Sequence, residues 1–124
     1  MDLFDDLPPP LDDVHSPIAP GAVLLRGFAR ENDAALLQAV EAVIHQAPLR
    51  HMQTPGGYTM SVATTSCGQL GWVSDPHGYR YAALDPHTGK PWPAMPACFV
   101  ELAQRAAAMA GYAGFVPDAC LINQ

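Results

Sequence analysis

A chain of 124 residues, 49% of them hydrophobic, has enough apolar material for one compact domain that buries roughly two-thirds of its unfolded surface. Its formal charge of −6 is concentrated at one end, since five of the twelve acidic residues (Asp2, Asp5, Asp6, Asp12 and Asp13) precede Ser16. The seven others face six Lys and Arg, a body near neutrality that offers no electrostatic footprint for nucleic acid and no barrier to it.

Residues 1–17 combine acid with Pro8, Pro9 and Pro10 and read as a mobile tail. A secretory signal needs a basic start and an unbroken apolar run, which this segment lacks. Residues 18–47 follow as a strand and a helix. Ala22 to Leu25 is a short apolar run behind Pro20-Gly21, the pattern of a buried strand. Asn32 is placed to cap the helix. Leu36, Val40, Val43 and Ile44 recur at the spacing of one buried face until Pro48 stops the pattern.

Between residues 48 and 93 the texture changes to short β-like runs, Tyr58 to Thr64, Trp72 to Ser74 and Tyr79 to Ala83. Pro55-Gly56-Gly57, Asp75-Pro76-His77-Gly78 and Asp85-Pro86-His87-Thr88-Gly89 separate them with turn chemistry. An antiparallel flap is the expected result. In residues 94–124, Pro96 suits the first turn of a second helix with Phe99, Leu102, Ala106 and Met109 as its buried stripe and Gly111 as its stop. Ala119 to Ile122 then reads as a strand that starts a new sheet. No stretch approaches the ~20 apolar residues of a membrane span.

Cys67, Cys98 and Cys120 are odd in number, far apart and without a Cys-x-x-Cys pair. They imply neither a disulfide framework nor a zinc site, and they fit a reducing cytoplasm. A non-heme iron oxygenase needs two histidines and a carboxylate on one face of the metal, usually opening on His-x-Asp or His-x-Glu. His15, His45, His51, His77 and His87 are followed two residues on by Pro17, Ala47, Gln53, Tyr79 and Gly89, so none begins that signature. The bland reading, solvated polar residues, is preferred for all five. There is no Gly-x-Ser-x-Gly elbow and no phosphate-binding glycine loop. The aromatic residues are more suggestive. Trp72, Tyr79 and Tyr81 flank one turn with Arg80 between the tyrosines, a set able to stack on a base and touch a phosphate. By spacing alone, core or rim residues are the more ordinary reading.

Longer strings carry a resemblance. Thr54-Pro-Gly-Gly-Tyr-Thr-Met-Ser-Val62, Asp85-Pro86, Lys90-Pro-Trp-Pro-Ala-Met-Pro96 and Pro117-Asp-Ala-Cys-Leu-Ile-Asn123 resemble the AlkB family of iron- and 2-oxoglutarate-dependent nucleic-acid demethylases, from about Pro20 to Asn123. The resemblance implies an α+β fold: N-terminal helices and an antiparallel nucleotide-recognition lid over residues 48–93, followed by the helix and first strand of a jelly-roll dioxygenase core. It implies a partner in alkylated single- or double-stranded DNA, or RNA, with no membrane and no obligate protein partner.

Carried over residue by residue, the resemblance makes Trp72 the stacking platform for a flipped base. Tyr79, Arg80 and Tyr81 then line the nucleotide and its phosphates, and Thr54 and Met60 shape the lid's inner wall. Asn123 matches the first residue of an Asn-x-Tyr segment that contacts 2-oxoglutarate, with Gln124 at the intervening position. The Fe(II) ligands of the family match nothing in this chain. The expectation is therefore a substrate-recognition part without its own catalysis and without cofactor of its own. The alternatives are a stand-alone single-strand-binding module and a non-functional remnant.

Overall fold

The computed structural model describes residues 15–124 and arranges them as two helices and three antiparallel strand pairs, an α+β fold. The acidic tail through residue 14 lies outside the described residues. His15, Ser16 and Pro17, which the sequence reading gave to that tail, instead open strand β1 (His15–Ala19). β1 turns at Pro20-Gly21 and pairs with β2 (Ala22–Leu25). The expectation that β2 is buried is corrected: its residues alternate between exposed and half-buried, and Leu24 is 46% exposed. The cause is that β1 is its one strand partner among the described residues.

A short 3-10 turn, Arg30–Asn32, leads into α1 (Asp33–Gln46). Asn32 holds the cap position without a side-chain capping bond, and the Asp33 carboxylate accepts the Ala34 amide at 2.6 Å instead. An acid at this end also suits the positive pole of the helix. Val43 is buried, with Leu36, Val40 and Ile44 half-buried around it, so the apolar stripe faces inward. The helix ends at Ala47, extended at φ −129° and ψ 91°, as the residue before a proline prefers.

The next segment departs from the sequence reading. Tyr58 to Thr64 is not one strand. The Thr54 amide donates to the Tyr58 carbonyl and the Met60 amide to the Met52 carbonyl, closing a hairpin around Pro55-Gly56-Gly57. The regular strand begins only at Thr64, where Arg50 bonds both its N–H and its C=O (2.9 and 3.0 Å). That strand, β3 (Thr64–Gly68), carries β6 (Ala119–Asn123) antiparallel on its other edge. Gly68 has φ +115° and no space for a side chain, because a Cβ would press on the Asp118 carbonyl. β4 (Gly71–Asp75) and β5 (Gly78–Ala82) form the third pair, joined by the Pro76-His77 turn.

One face of β4–β5 rests on Trp92. Val73, Ala47 and Trp92 are 2%, 2% and 4% exposed and pack together with Ala82. The indole N–H donates to the Ala82 carbonyl at 2.9 Å, so the ring is held by shape and by its polar edge. Gly71 lies flat against it, leaving no room for a Cβ. Arg50 covers the ring at 5.3 Å from its centroid and grips Asp85 with both terminal guanidinium nitrogens, at 2.5 and 2.8 Å.

α2 (Ala97–Met109) closes the described fold, with Pro96 at the cap position accepting the Phe99 and Val100 amides. Its expected buried stripe is shallower than the spacing suggests: Phe99, Leu102 and Ala106 are half-buried, and Met109 is 46% exposed.

Burial opposes ionisation of Asp85, but the hydrogen bonds from Arg50 and the His87 amide, with the charge of Arg50, outweigh it and hold the carboxyl below its ordinary value. Its stabilising contribution is therefore complete above the ordinary carboxylate pKa of about 4 and is lost as pH falls through the lower folded-state value. Asp85→Ala strands a buried guanidinium, and we expect it to destabilise the chain by about 3–5 kcal/mol in urea denaturation at neutral pH, with the difference from the parent shrinking in acid. A loss under 1 kcal/mol at neutral pH contradicts this assignment.

Candidate functional site

Alternation along β4 and β5 sends their side chains to two sides. Cross-strand partners share a face, so Trp72 with Tyr81 and Ser74 with Tyr79 lie on one side, and Val73 with Arg80 on the other. The second side is the one against Trp92. The first presents an aromatic group: the Trp72 and Tyr79 rings stack with centroids 5.7 Å apart and planes 16° from parallel, an offset stack. Tyr81 lies across from Trp72. Both tyrosines are 63% exposed, although Trp72 is half-buried. A base cannot slip between two rings already in contact, so it would extend the stack.

Arg80 does not join this group. It lies on the opposite face by register and donates two hydrogen bonds to Asp75, at 3.0 and 2.8 Å. Hydrogen bonding to Arg80 is also the main cause that holds the Asp75 carboxyl below its ordinary value, and the same bond raises Arg80. Contact with a phosphate requires exchange of this exposed ion pair, a small cost for side chains in water.

Thr54 and Met60 belong to the neighbouring hairpin. The Thr54 hydroxyl accepts the Tyr58 amide at 3.1 Å, and the Met60 carbonyl meets His51 Nδ1 at 2.9 Å. This hairpin is tied to β4 at Ser74, whose hydroxyl donates to the Gln53 carbonyl at 2.6 Å and whose amide meets the Met52 sulfur at 3.3 Å. Thr54 and Met60 are thereby fixed beside the strand that carries Trp72.

Asn123 and Gln124 sit elsewhere, at the end of the β3–β6 pair. Asn123 faces Thr64 and is exposed, and Gln124 exchanges backbone bonds with Ala63. Among the described residues no three His, Cys, Asp or Glu side chains come together to hold a metal ion. The guanidiniums of Arg50 and Arg80, which could have met an organic dicarboxylate, are both held by aspartates.

Sequence reasoning missed the Arg50–Asp85 pair, since Asp85 reads as a turn residue. The available signal was the Lys90-Pro-Trp-Pro string close behind it. Reading Trp92 as a core ring in need of a flat neighbour would have pointed to Gly71.

Residues 21–124 match the family described as the 2OG-Fe(II) oxygenase superfamily, and the chain belongs to it. Within that family the likeness is to AlkB. The chain is 55% identical over 124 residues to the alpha-ketoglutarate-dependent dioxygenase AlkB of Salmonella typhimurium and 53% identical over 124 residues to that of Escherichia coli. An AlkB homolog of Caulobacter vibrioides is 45% identical over 89 residues, 72% of this chain and 39% of the homolog. All of this chain is matched in the first two comparisons, but it spans only 56% of each relative's length. Among the described residues, no helix is long and apolar enough to cross a membrane.

The stack makes its own prediction. Tyr79→Ala uncovers one face of Trp72, so the tryptophan emission should shift to the red while the chain loses about 0.5–1.5 kcal/mol of stability. An unchanged spectrum in steady-state fluorescence would show that the rings are not in contact in solution.

Proposed function

We propose that this chain is the substrate-recognition part of an AlkB-type oxidative demethylase that removes alkyl groups from bases in DNA or RNA. The observation that carries the reading is the outward aromatic face of β4–β5, Trp72 stacked on Tyr79 with Tyr81 beside it, in a chain with the family membership above. An enzyme that works on a base must take it out of the stack and hold it against flat side chains. Two tyrosines exposed on a hairpin whose other face is anchored to Trp92 supply such a platform without cost to the core.

The roles proposed here are those the family resemblance implies, and the exposed aromatic face supports them. Trp72 and Tyr79 receive the flipped base, Tyr81 widens the platform, and Thr54 and Met60 border it from the adjoining hairpin. Arg80 exchanges Asp75 for a backbone phosphate when a strand arrives. Asn123 and Gln124, at the end of the β3–β6 pair, would contact the 2-oxoglutarate of the complete enzyme. There Fe(II) and 2-oxoglutarate supply the oxidation that turns the alkyl group into a leaving aldehyde. No histidine of these 124 residues opens a His-x-Asp or His-x-Glu pair, so the share proposed for this chain is recognition. The near-neutral body makes the grip rest on stacking more than on counterion release, and a cytoplasmic location suits its free thiols.

The test joins this chain, through Gln124, to the remaining portion of the Escherichia coli relative. Supplied with Fe(II), 2-oxoglutarate and a methylated oligonucleotide, the chimera should release formaldehyde, whereas the 124-residue chain alone should release none above a no-protein control. Trp72→Ala in the chimera should lower catalytic efficiency by roughly 5- to 150-fold, the equivalent of the ~1–3 kcal/mol of one base stacked on one ring, with 2-oxoglutarate affinity unchanged. Turnover by the short chain, or full turnover by a folded Trp72→Ala chimera, would overturn the reading.

A further inference from the structure

Away from the aromatic face, two cysteines 53 positions apart in the chain meet across the β3–β6 pair, where Cys67 stands directly opposite Cys120. Ala63 and Gln124 exchange both backbone hydrogen bonds at the head of this ladder (3.1 and 2.9 Å). Alternation makes Cys67–Cys120 a pair of the same kind, with Cα atoms about 5.5 Å apart. That spacing is one a disulfide can span. Their side chains share the face of Thr65, whose hydroxyl donates to the Ala47 carbonyl at the end of α1. Asn123 and Thr64 lie on the other face.

The two thiols differ in access and in charge. Cys67 is fully buried and Cys120 half-buried, and both are free thiols. A hydrogen bond from Cys67 draws Cys120 down to about 7 against the effect of burial. The same bond, burial and the Cys120 charge push Cys67 upward. The better nucleophile is therefore the more accessible sulfur, with a thiol beside it.

We infer that Cys67 and Cys120 form a redox site that takes a hydroperoxide and closes to a reversible disulfide between β3 and β6. The Cys120 thiolate attacks a peroxide oxygen. An S–O bond forms, the O–O bond breaks, and the departing hydroxide takes a proton to become water. Cys67 gives up its proton and attacks the resulting sulfenic sulfur; the S–S bond forms, the S–O bond breaks and a second water leaves. Two thiols have lost two electrons and hydrogen peroxide has gained them. A dithiol reverses the change by exchange. The oxidised form ties the strand that ends at Asn123 to the strand that leads away from the 52–60 hairpin.

The experiment exposes the full chain to hydrogen peroxide, blocks remaining thiols with N-ethylmaleimide and maps peptides by mass spectrometry. The expected product joins the Cys67 and Cys120 peptides, leaves Cys98 alkylated and disappears with dithiothreitol. In Cys67→Ser, dimedone should trap a sulfenic acid at Cys120, because no resolving thiol then stands opposite it. Should that variant fail to fold, the peptide map of the parent chain decides alone. A disulfide that includes Cys98, or alkylation of both Cys67 and Cys120 after peroxide in a chain whose circular dichroism is unchanged, would overturn the assignment.

Discussion

The bidentate contact between Arg50 and Asp85 joins more of this chain than any other side-chain pair described. Arg50 uses Nε on the Pro48 carbonyl just past α1, its backbone on Thr64 at the start of β3, and its guanidinium plane on Trp92. Asp85 accepts the His87 amide, while its own backbone holds Gly89 and Lys90, so it shapes the loop that returns the chain to Trp92. Two buried charges are costly unless each is matched. Here the match is complete enough to tie a helix end, a strand start and a loop to one ring. Removing either partner would leave the other without water and without a counter-ion.

From that anchor the two sides of β4–β5 acquire different tasks. Gly71, Val73 and Ala82 form a flat surface for Trp92, and this fixes the hairpin's orientation. The side chains between them in sequence must then point outward, which is where Trp72, Tyr79 and Tyr81 stand. Exposed tyrosines would be a liability on a mobile loop, but on a hairpin secured from behind they form a preorganised platform. Under the proposed function, little ordering entropy would be left to lose on binding a base.

The period-3.6 stripe of α1, with Pro48 behind it, was readable because a helix buries one face and that face is local in sequence. The β4–β5 hairpin was readable for a similar reason, since a turn and two alternating runs are local too. Tyr58 to Thr64 was misread because β-like composition does not reveal that Tyr58 folds back on Thr54. The burial of β2 was misread because an apolar run does not say how many strands flank it.

Arg80 shows the same limit within the candidate site. Its place between two tyrosines suggests that it shares their face, whereas period-2 alternation places it on the other, and Asp75 five residues earlier claims its charge. The Arg50–Asp85 and Cys67–Cys120 encounters span 35 and 53 positions, and no local pattern carries such information. The long strings around Thr54, Lys90 and Pro117 conveyed family membership through their length and unusual composition, although of these four distant partners they hold only Cys120.

The central claim is that the outward face of β4–β5 receives a base while the inward face serves as its fixed support. The chain contains two tryptophans, one on each face, so their indole N–H signals in a nitrogen–proton correlation spectrum report the two sides separately. Titration with a short methylated single-stranded oligonucleotide should move the Trp72 signal progressively and leave that of Trp92, bonded to Ala82, in place. Movement of Trp92 without Trp72, or equal movement of both, would contradict the account.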